Sequence, residues 1–140
     1  MKNILLDTNV VIDLLQNRQP WVNEARQIFE ALARKELNGC ITAKSLADIH
    51  YVSKHQLHDE SKTRSLIAKL LDYVSILDTS AADCVNALMS SMSDYADAIM
   101  AETAARCGMD CIVTRNVKDF AKSPVKPIFP SDFLQEDQRL

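Results

Sequence analysis

Acidic side chains recur beside the apolar segments of this 140-residue sequence. The run Ile4 to Leu6 is apolar throughout, as in the buried strands of parallel sheets, and Asp7 follows it at once. Burying a carboxylate at a strand tip without a partner costs several kcal/mol, so function explains Asp7 better than folding does. Further carboxylates stand near other strand ends or helix starts: Asp48, Asp94, Asp97 and Asp119.

Carboxylates gathered in one cleft raise one another's pKa values or move apart unless a cation compensates them. Mg²⁺ and Mn²⁺ suit such a cleft because they take oxygen ligands and need only a few carboxylates beside substrate phosphates. Either ion polarises a phosphodiester and lowers the pKa of bound water. The acids therefore predict a phosphate-ester hydrolase that uses Mg²⁺ or Mn²⁺ as its cofactor.

Polar and basic residues beside these acids are candidates for contact with the substrate. The hydroxyl and the amide that follow Asp7 can orient a ligand carboxylate, and the two cations near residue 116 can meet phosphate oxygens. These cations can equally screen the acids, and Asp94 is as well explained as a helix N-cap. The predicted substrate-contacting residues are Thr8, Asn9, Thr114, Arg115, Asn116 and Lys118. We assign Asp13, Asp78 and Asp83 to surface and capping positions.

The elements that must position these residues alternate between strands and helices. Apolar runs predict strands at 4–6, 40–42, 74–77, 111–114 and, at a sheet edge, 125–129. Helical spacing predicts helices at 10–15, 44–56, 61–73, 80–90 and 95–107. A further helix is expected to have Pro20 in its first turn and to close at Asn38-Gly39, and Ser131 is expected to cap a final helical turn.

Alternating strands and helices predict an α/β fold with a mostly parallel sheet of four to five strands. In such sheets ligands bind beyond the carboxyl ends of the strands, where the predicted acids would meet. The chain has the length of one ordinary domain, so we expect a single domain over residues 1–140. No apolar run approaches a membrane span, and we expect a cytoplasmic protein. The net charge of −3 requires that any nucleic-acid-binding surface be local.

Three segments, LLDTNVVIDLL, ITAKSLADIHYV and DYADAIMAETAARCGMDCIVTRNVKDF, together resemble a PIN domain of the small bacterial kind that includes VapC-like toxins. The resemblance runs from about Asn3 to Leu134. It implies a three-layer α/β/α fold and a Mg²⁺- or Mn²⁺-dependent endoribonuclease. It also implies an RNA substrate, a small antitoxin partner that blocks the pocket, and a homodimer. The implied catalytic and metal-binding residues are Asp7, Asp48, Asp97 and Asp119, with Asp94 and Asn116 assisting.

The sequence leaves open two alternatives to a ribonuclease. A non-catalytic interaction domain with the same fold is favoured by Asp48 and Asn116, because many family members carry Glu and Asp there. A phosphatase or phosphotransferase with Asp7 as its nucleophile fits the strand-tip acid. Such enzymes, however, need an acid two residues later, and this chain has Asn9 there.

Overall fold

The computed structural model describes residues 1–137 and contains a sheet of five strands, all parallel. The strands are β1 (Lys2–Leu6), β2 (Leu37–Thr42), β3 (Ser75–Leu77), β4 (Cys111–Val113) and β5 (Pro127–Ile128). The seven α-helices among these residues are α1 (Thr8–Leu15), α2 (Val22–Ala33), α3 (Ala43–Leu57), α4 (Glu60–Leu70), α5 (Ala81–Ala87), α6 (Tyr95–Arg106) and α7 (Pro130–Glu136). A 3₁₀ helix, Val117–Phe120, follows β4. None of the helices in this part of the chain is long and apolar enough to cross a membrane.

The alternation of side chains along β1 divides the helices between the two faces of the sheet. Ile4 and Leu6 share a buried cluster with side chains from α1, α2, α3, α4 and α7. Leu5 points the other way and packs in a second cluster with Met100 and Ala104 of α6. Helix α6, with α5 packed on it, therefore covers one face of the sheet, and the other helices cover the opposite face. The predicted three-layer α/β/α architecture is confirmed.

The strand order β3-β2-β1-β4-β5 places β1 at the centre. The chain moves outward from β1 to β2 and β3, then crosses to the other side of β1 to form β4 and β5. The strand order therefore reverses beside the carboxyl end of β1. In open α/β sheets this is the position where ligands bind, and Asp7 is the residue that follows β1.

The predicted end of the second helix is wrong. Helix α2 ends at Ala33, a turn with Lys35 at φ 59° follows, and Gly39 lies inside β2. A Cβ atom at Gly39 would lie 2.6 Å from Cδ2 of Leu32, so the missing side chain lets α2 pack closely on the strand. Asn-Gly is a common end signal for helices, but here close packing between layers explains the glycine.

Two further helix starts also differ from the prediction. Pro20 precedes α2, which begins at Val22, instead of lying in its first turn. Ser131 lies inside α7, whose first residue is Pro130 and whose N-cap residue, Phe129, makes no side-chain cap. Proline is favoured at the first helical position because its missing N–H has no partner there anyway.

The capping role assigned to Asp83 is confirmed, and its partner is Ser80. Ser80 accepts a hydrogen bond from the Asp83 N–H, and Asp83 accepts one from the Ser80 N–H. The prediction that Asp83 lies at the surface is wrong, because the residue is only 1% exposed. Its carboxylate also accepts hydrogen bonds from Thr103 and from two nitrogens of Arg106, and so it ties α5 to α6. These partners hold the pKa of Asp83 well below its usual range, the Arg106 hydrogen bonds contributing most.

Replacing Asp83 by Asn is expected to lower the free energy of unfolding at pH 7 by about 1–3 kcal/mol, since it removes the negative charge and one of the two oxygens that Arg106 contacts. A depressed folded pKa stabilises the fold above the ordinary carboxyl pKa of about 4. The difference between the two proteins should therefore shrink as the pH falls below that value. Urea unfolding at several pH values measures it, with the exposed Asp72→Asn as the control. A difference that stays constant with pH would contradict this assignment.

Candidate functional site

Asp7 lies at the tip of β1, immediately before α1, and is only 6% exposed. Its Oδ1 accepts a hydrogen bond from the Thr8 N–H at 2.7 Å. Its Oδ2 accepts from the hydroxyl of Thr114 at 2.7 Å and from the amide of Asn9 at 3.1 Å. Burial raises the pKa of Asp7, and the Thr114 and Thr8 hydrogen bonds counter part of that rise. The carboxylate is thus held in a fixed orientation at some energetic cost.

A cavity of about 320 Å³ opens beside Asp7 at the carboxyl ends of the strands. Its walls include three of the four predicted catalytic acids: Asp7, Asp48 and Asp97. The fourth, Asp119, is exposed on the 3₁₀ helix after β4, and its negative charge contributes to the raised pKa values of Asp7 and Asp97. Three of the four predicted acids therefore line one cavity, and Asp119 lies outside its lining.

Asp97 has the most perturbed carboxyl group in the cavity. Burial and the charges of Asp7, Asp94 and Asp119 raise its pKa to about 6. Lys44 lowers the pKa, but its effect is the smallest of the five. Local sequence explains the position of Asp97, because Asp94 caps α6 by accepting a hydrogen bond from the Asp97 N–H at 2.9 Å. The capping role that the sequence left open for Asp94 is therefore real.

Asp48 faces the same cavity but is already paired. Its Oδ2 accepts a hydrogen bond from Nζ of Lys44, one helical turn earlier on α3. Both side chains are more than two-fifths exposed, so the ion pair is weak and can be exchanged for another partner. Lys44 is therefore a cation that competes with any metal ion for Asp48.

The donor set suits a hard divalent cation, although a complete ligand cage is not preassembled. Within residues 1–137, no three His, Cys, Asp or Glu side chains lie close enough together to hold a metal ion. Mg²⁺, however, keeps several waters and is commonly held by one or two carboxylates together with substrate phosphates. Asp7 and Asp97 provide two carboxylates that line one cavity, and the charge of Asp7 raises the cost of ionising Asp97. A cation is what would relieve that cost.

Arg115 lies beneath the site in a cluster that the sequence did not reveal. Its Nε and Nη2 donate to the two carboxylate oxygens of Asp13 at 2.6 and 3.2 Å. Its guanidinium stacks on the ring of Trp21, 3.9 Å from the ring centroid. Asp13 is 1% exposed, so its predicted surface position is wrong. Nothing in the local pattern of α1 distinguished this buried acid, because its partner is 102 residues away.

Of the other five predicted substrate-contacting residues, three line the cavity and two do not. Thr8, Asn9 and Asn116 line the cavity. Thr114 is fully buried: its hydroxyl donates to Asp7 and accepts from the Asn116 N–H. Lys118 is exposed on the 3₁₀ helix beside Asp119. The structure adds Arg18, which lines the cavity and follows α1; no sequence motif marked it.

The chain is similar to known proteins in sequence and in structure. A family model described as the PIN domain matches residues 3–118. No curated protein matches this sequence. A toxin–antitoxin complex from Klebsiella pneumoniae contains a chain that is 28% identical, with a TM-score of 0.66 over 91% of this chain and 97% of that one.

Two more distant structures share the fold. VapBC2 from Rickettsia felis, bound to a DNA fragment from its promoter, is 20% identical with a TM-score of 0.65, over 90% of this chain and 97% of that one. VapC20 from Mycobacterium tuberculosis, described as a toxin that cleaves the sarcin–ricin loop, is 13% identical with a TM-score of 0.66. That match covers 84% of this chain and 93% of VapC20.

The raised pKa of Asp97 has a consequence for the stability of the metal-free protein. Between the ordinary carboxyl pKa of about 4 and the folded value of about 6, the folded chain binds more protons than the unfolded one, so stability falls as the pH rises. Asp97→Asn removes this fall, and we expect the variant to be more stable than the parent at pH 7 by about 1–2 kcal/mol, after allowance for solvent screening. Thermal unfolding in EDTA at pH 4 to 8 measures the effect, with exposed Asp132→Asn as the control. Equal pH dependence in the parent and in Asp97→Asn would refute it.

Proposed function

Because this chain belongs to the PIN domain family, we propose that it is a Mg²⁺- or Mn²⁺-dependent endoribonuclease that acts as the toxin of a toxin–antitoxin pair. The observation that supports the proposal is the cavity at the tip of β1, which both Asp7 and Asp97 line with raised pKa values. Ionising two carboxylates in the same cavity costs free energy and so destabilises the fold. A bound cation would offset that cost.

Asp7 and Asp97 are the proposed direct ligands of the ion, and Asp119 adds negative charge beside them. Asp48 would join them when Lys44 releases it, and Asp94 fixes the start of the helix that carries Asp97. When bound, the ion would neutralise the carboxylates and polarise a phosphodiester. Thr114 and Asn9 hold the Asp7 carboxylate so that it does not turn away from the cavity.

RNA phosphates would meet the polar rim of the cavity. Asn116 lines the cavity and Lys118 is exposed on the neighbouring 3₁₀ helix, so both can meet phosphate oxygens. Arg18 also lines the cavity; its Nη1 lies 4.0 Å from Asp13 and its Nε donates to Gln16, and its second Nη group would meet phosphate. Arg115 has two nitrogens engaged by Asp13, and we assign it a positioning role for the loop after β4 in preference to a phosphate contact. Its positive charge still favours the ionised form of Asp7.

The proposed partner is a small antitoxin protein. The relative from Klebsiella pneumoniae, 28% identical over nearly the whole chain, is described as a toxin–antitoxin complex. Formation of a homodimer, which the family resemblance implies, is part of the same proposal.

A non-catalytic interaction domain is the second candidate. It is favoured by the ion pair between Lys44 and Asp48, which occupies one predicted ligand. It is also favoured by the lack of a group of three metal-binding side chains within residues 1–137. Activity with and without divalent ions separates this candidate from the nuclease.

The purified chain is expected to cleave single-stranded RNA in the presence of Mn²⁺ or Mg²⁺ and to be inactive in EDTA. Asp7→Asn should reduce the rate by at least about 100-fold, because it removes a ligand charge while keeping the shape of the side chain. Asp132→Asn, which changes an exposed acid on α7, should retain the parent rate. Gel analysis of a labelled RNA measures the cleavage rate of the parent and of both variants. A folded parent that cleaves no RNA with any divalent ion would favour the non-catalytic domain, and release of phosphate from small monoesters would favour a phosphatase.

Metal binding can be tested without reference to catalysis. At pH 7, Mn²⁺ or Mg²⁺ at about 100 times its dissociation constant should stabilise the parent by about 2.7 kcal/mol, seen as a rise in Tm. The rise should be much smaller in Asp7→Asn and Asp97→Asn, which lose one carboxylate each, and unchanged in Asp132→Asn. Differential scanning fluorimetry with increasing metal concentration gives the comparison. Equal shifts in all four proteins would place the ion elsewhere.

A further inference from the structure

A groove leads away from the acidic cavity along α3. Arg18 and Val52 line both the cavity and a neighbouring depression of about 440 Å³. Tyr51 and His55 line that depression and also the next one, of about 600 Å³. The three depressions therefore lie in a row, because each shares two lining residues with the next. The row runs from the carboxylates toward the end of α3 at Leu57.

The middle of this groove presents two exposed aromatic rings. Tyr51 is 69% exposed, and its ring lies nearly parallel to that of His55, with an interplanar angle of 16° and centroids 6.4 Å apart. The two residues stand one turn apart on α3, so the helix holds their spacing. Flat rings with polar edges, exposed beside a phosphate-binding site, are the surface on which unpaired nucleic-acid bases stack.

The two charged residues that line the depressions beyond the cavity are both cations. Arg18 lies where the groove leaves the cavity, and Lys54 lies beside the rings. Glu60 is a nearby acid, and it is already paired with His50, Lys54 and Arg64. Val52 is the one aliphatic residue of the two outer depressions, which makes the groove a poor match for the apolar face of a protein helix.

We propose that an RNA strand passing the carboxylates continues along this groove and stacks a base on the Tyr51–His55 pair. This proposal rests on the proposed function, since it takes the cavity as the place where the phosphodiester binds. The pair is a subsite for an unpaired base that lies along the strand from the phosphodiester to be cleaved. It makes single-stranded RNA, whose bases are free to stack, the preferred substrate over a duplex.

Binding measured in a variant that does not cleave tests the subsite separately from catalysis. In the Asp7→Asn background, fluorescence anisotropy with a labelled single-stranded RNA of 12 nucleotides gives the dissociation constant. Adding Tyr51→Ala should weaken binding about 10-fold, in the range found for loss of one base–aromatic stack. Tyr51→Phe keeps the ring and should bind as the background protein does. Because Tyr51 is exposed and alanine favours helix, Tyr51→Ala should fold normally, as circular dichroism will verify.

A matched comparison excludes a general effect of losing an exposed aromatic side chain. Tyr95→Ala removes a half-exposed tyrosine of α6 that does not line the groove and should leave RNA affinity unchanged. If RNA binds and Tyr51→Ala has no effect, the subsite is refuted while the nuclease proposal stands. If Tyr51→Ala weakens binding but the parent never cleaves, the subsite stands and the nuclease proposal fails. If the background protein binds no RNA, or binds a duplex equally well, the subsite is refuted.

Discussion

The candidate site depends on the burial of one carboxylate, that of Asp7, at the tip of the central strand. Its position follows from the strand order, because the reversal beside β1 leaves a crevice at that end of the sheet. Three hydrogen bonds, from the backbone of Thr8, the amide of Asn9 and the hydroxyl of Thr114, orient it. They reduce the cost of burial without abolishing it, since the pKa remains raised. The residual cost is free energy that a bound cation can recover.

The rest of the structure compensates for this concentration of negative charge. Arg115 donates a hydrogen bond to Asp13 and stacks on Trp21, and its positive charge lowers the pKa of Asp7. At the rim, Lys44 neutralises Asp48 while remaining exposed and exchangeable. Away from the site, Asp83 is also a buried acid, but Arg106 holds its pKa low, whereas the pKa of Asp7 is raised. Its bond to Arg106 ties α5 to α6. Acids with depressed pKa values thus stabilise the fold, and acids with raised values mark the site.

Membership of the PIN domain family and the geometry of the cavity lead to the same proposal by independent routes. The family provides the activity class, and the cavity provides a physical reason for a cation. The distant structures add the fold, since VapC20 shares it at a sequence identity of 13%. The groove along α3 lies next to the cavity, with which it shares Arg18 and Val52, and it is where the bases of the proposed RNA substrate would lie.

The sequence by itself determined the layered α/β fold and the edge of the sheet at which the acids gather. Both follow from local patterns: apolar runs make the buried strands, and parallel strands carry their following residues to one edge. Only the tertiary structure decided which charges meet. It paired Arg115 with Asp13 across 102 residues, set Lys44 against Asp48 and brought Arg18 to the cavity. It also placed Gly39 inside β2, under Leu32. Such contacts depend on how separate elements pack, and local periodicity carries no information about the distance between side chains on different elements.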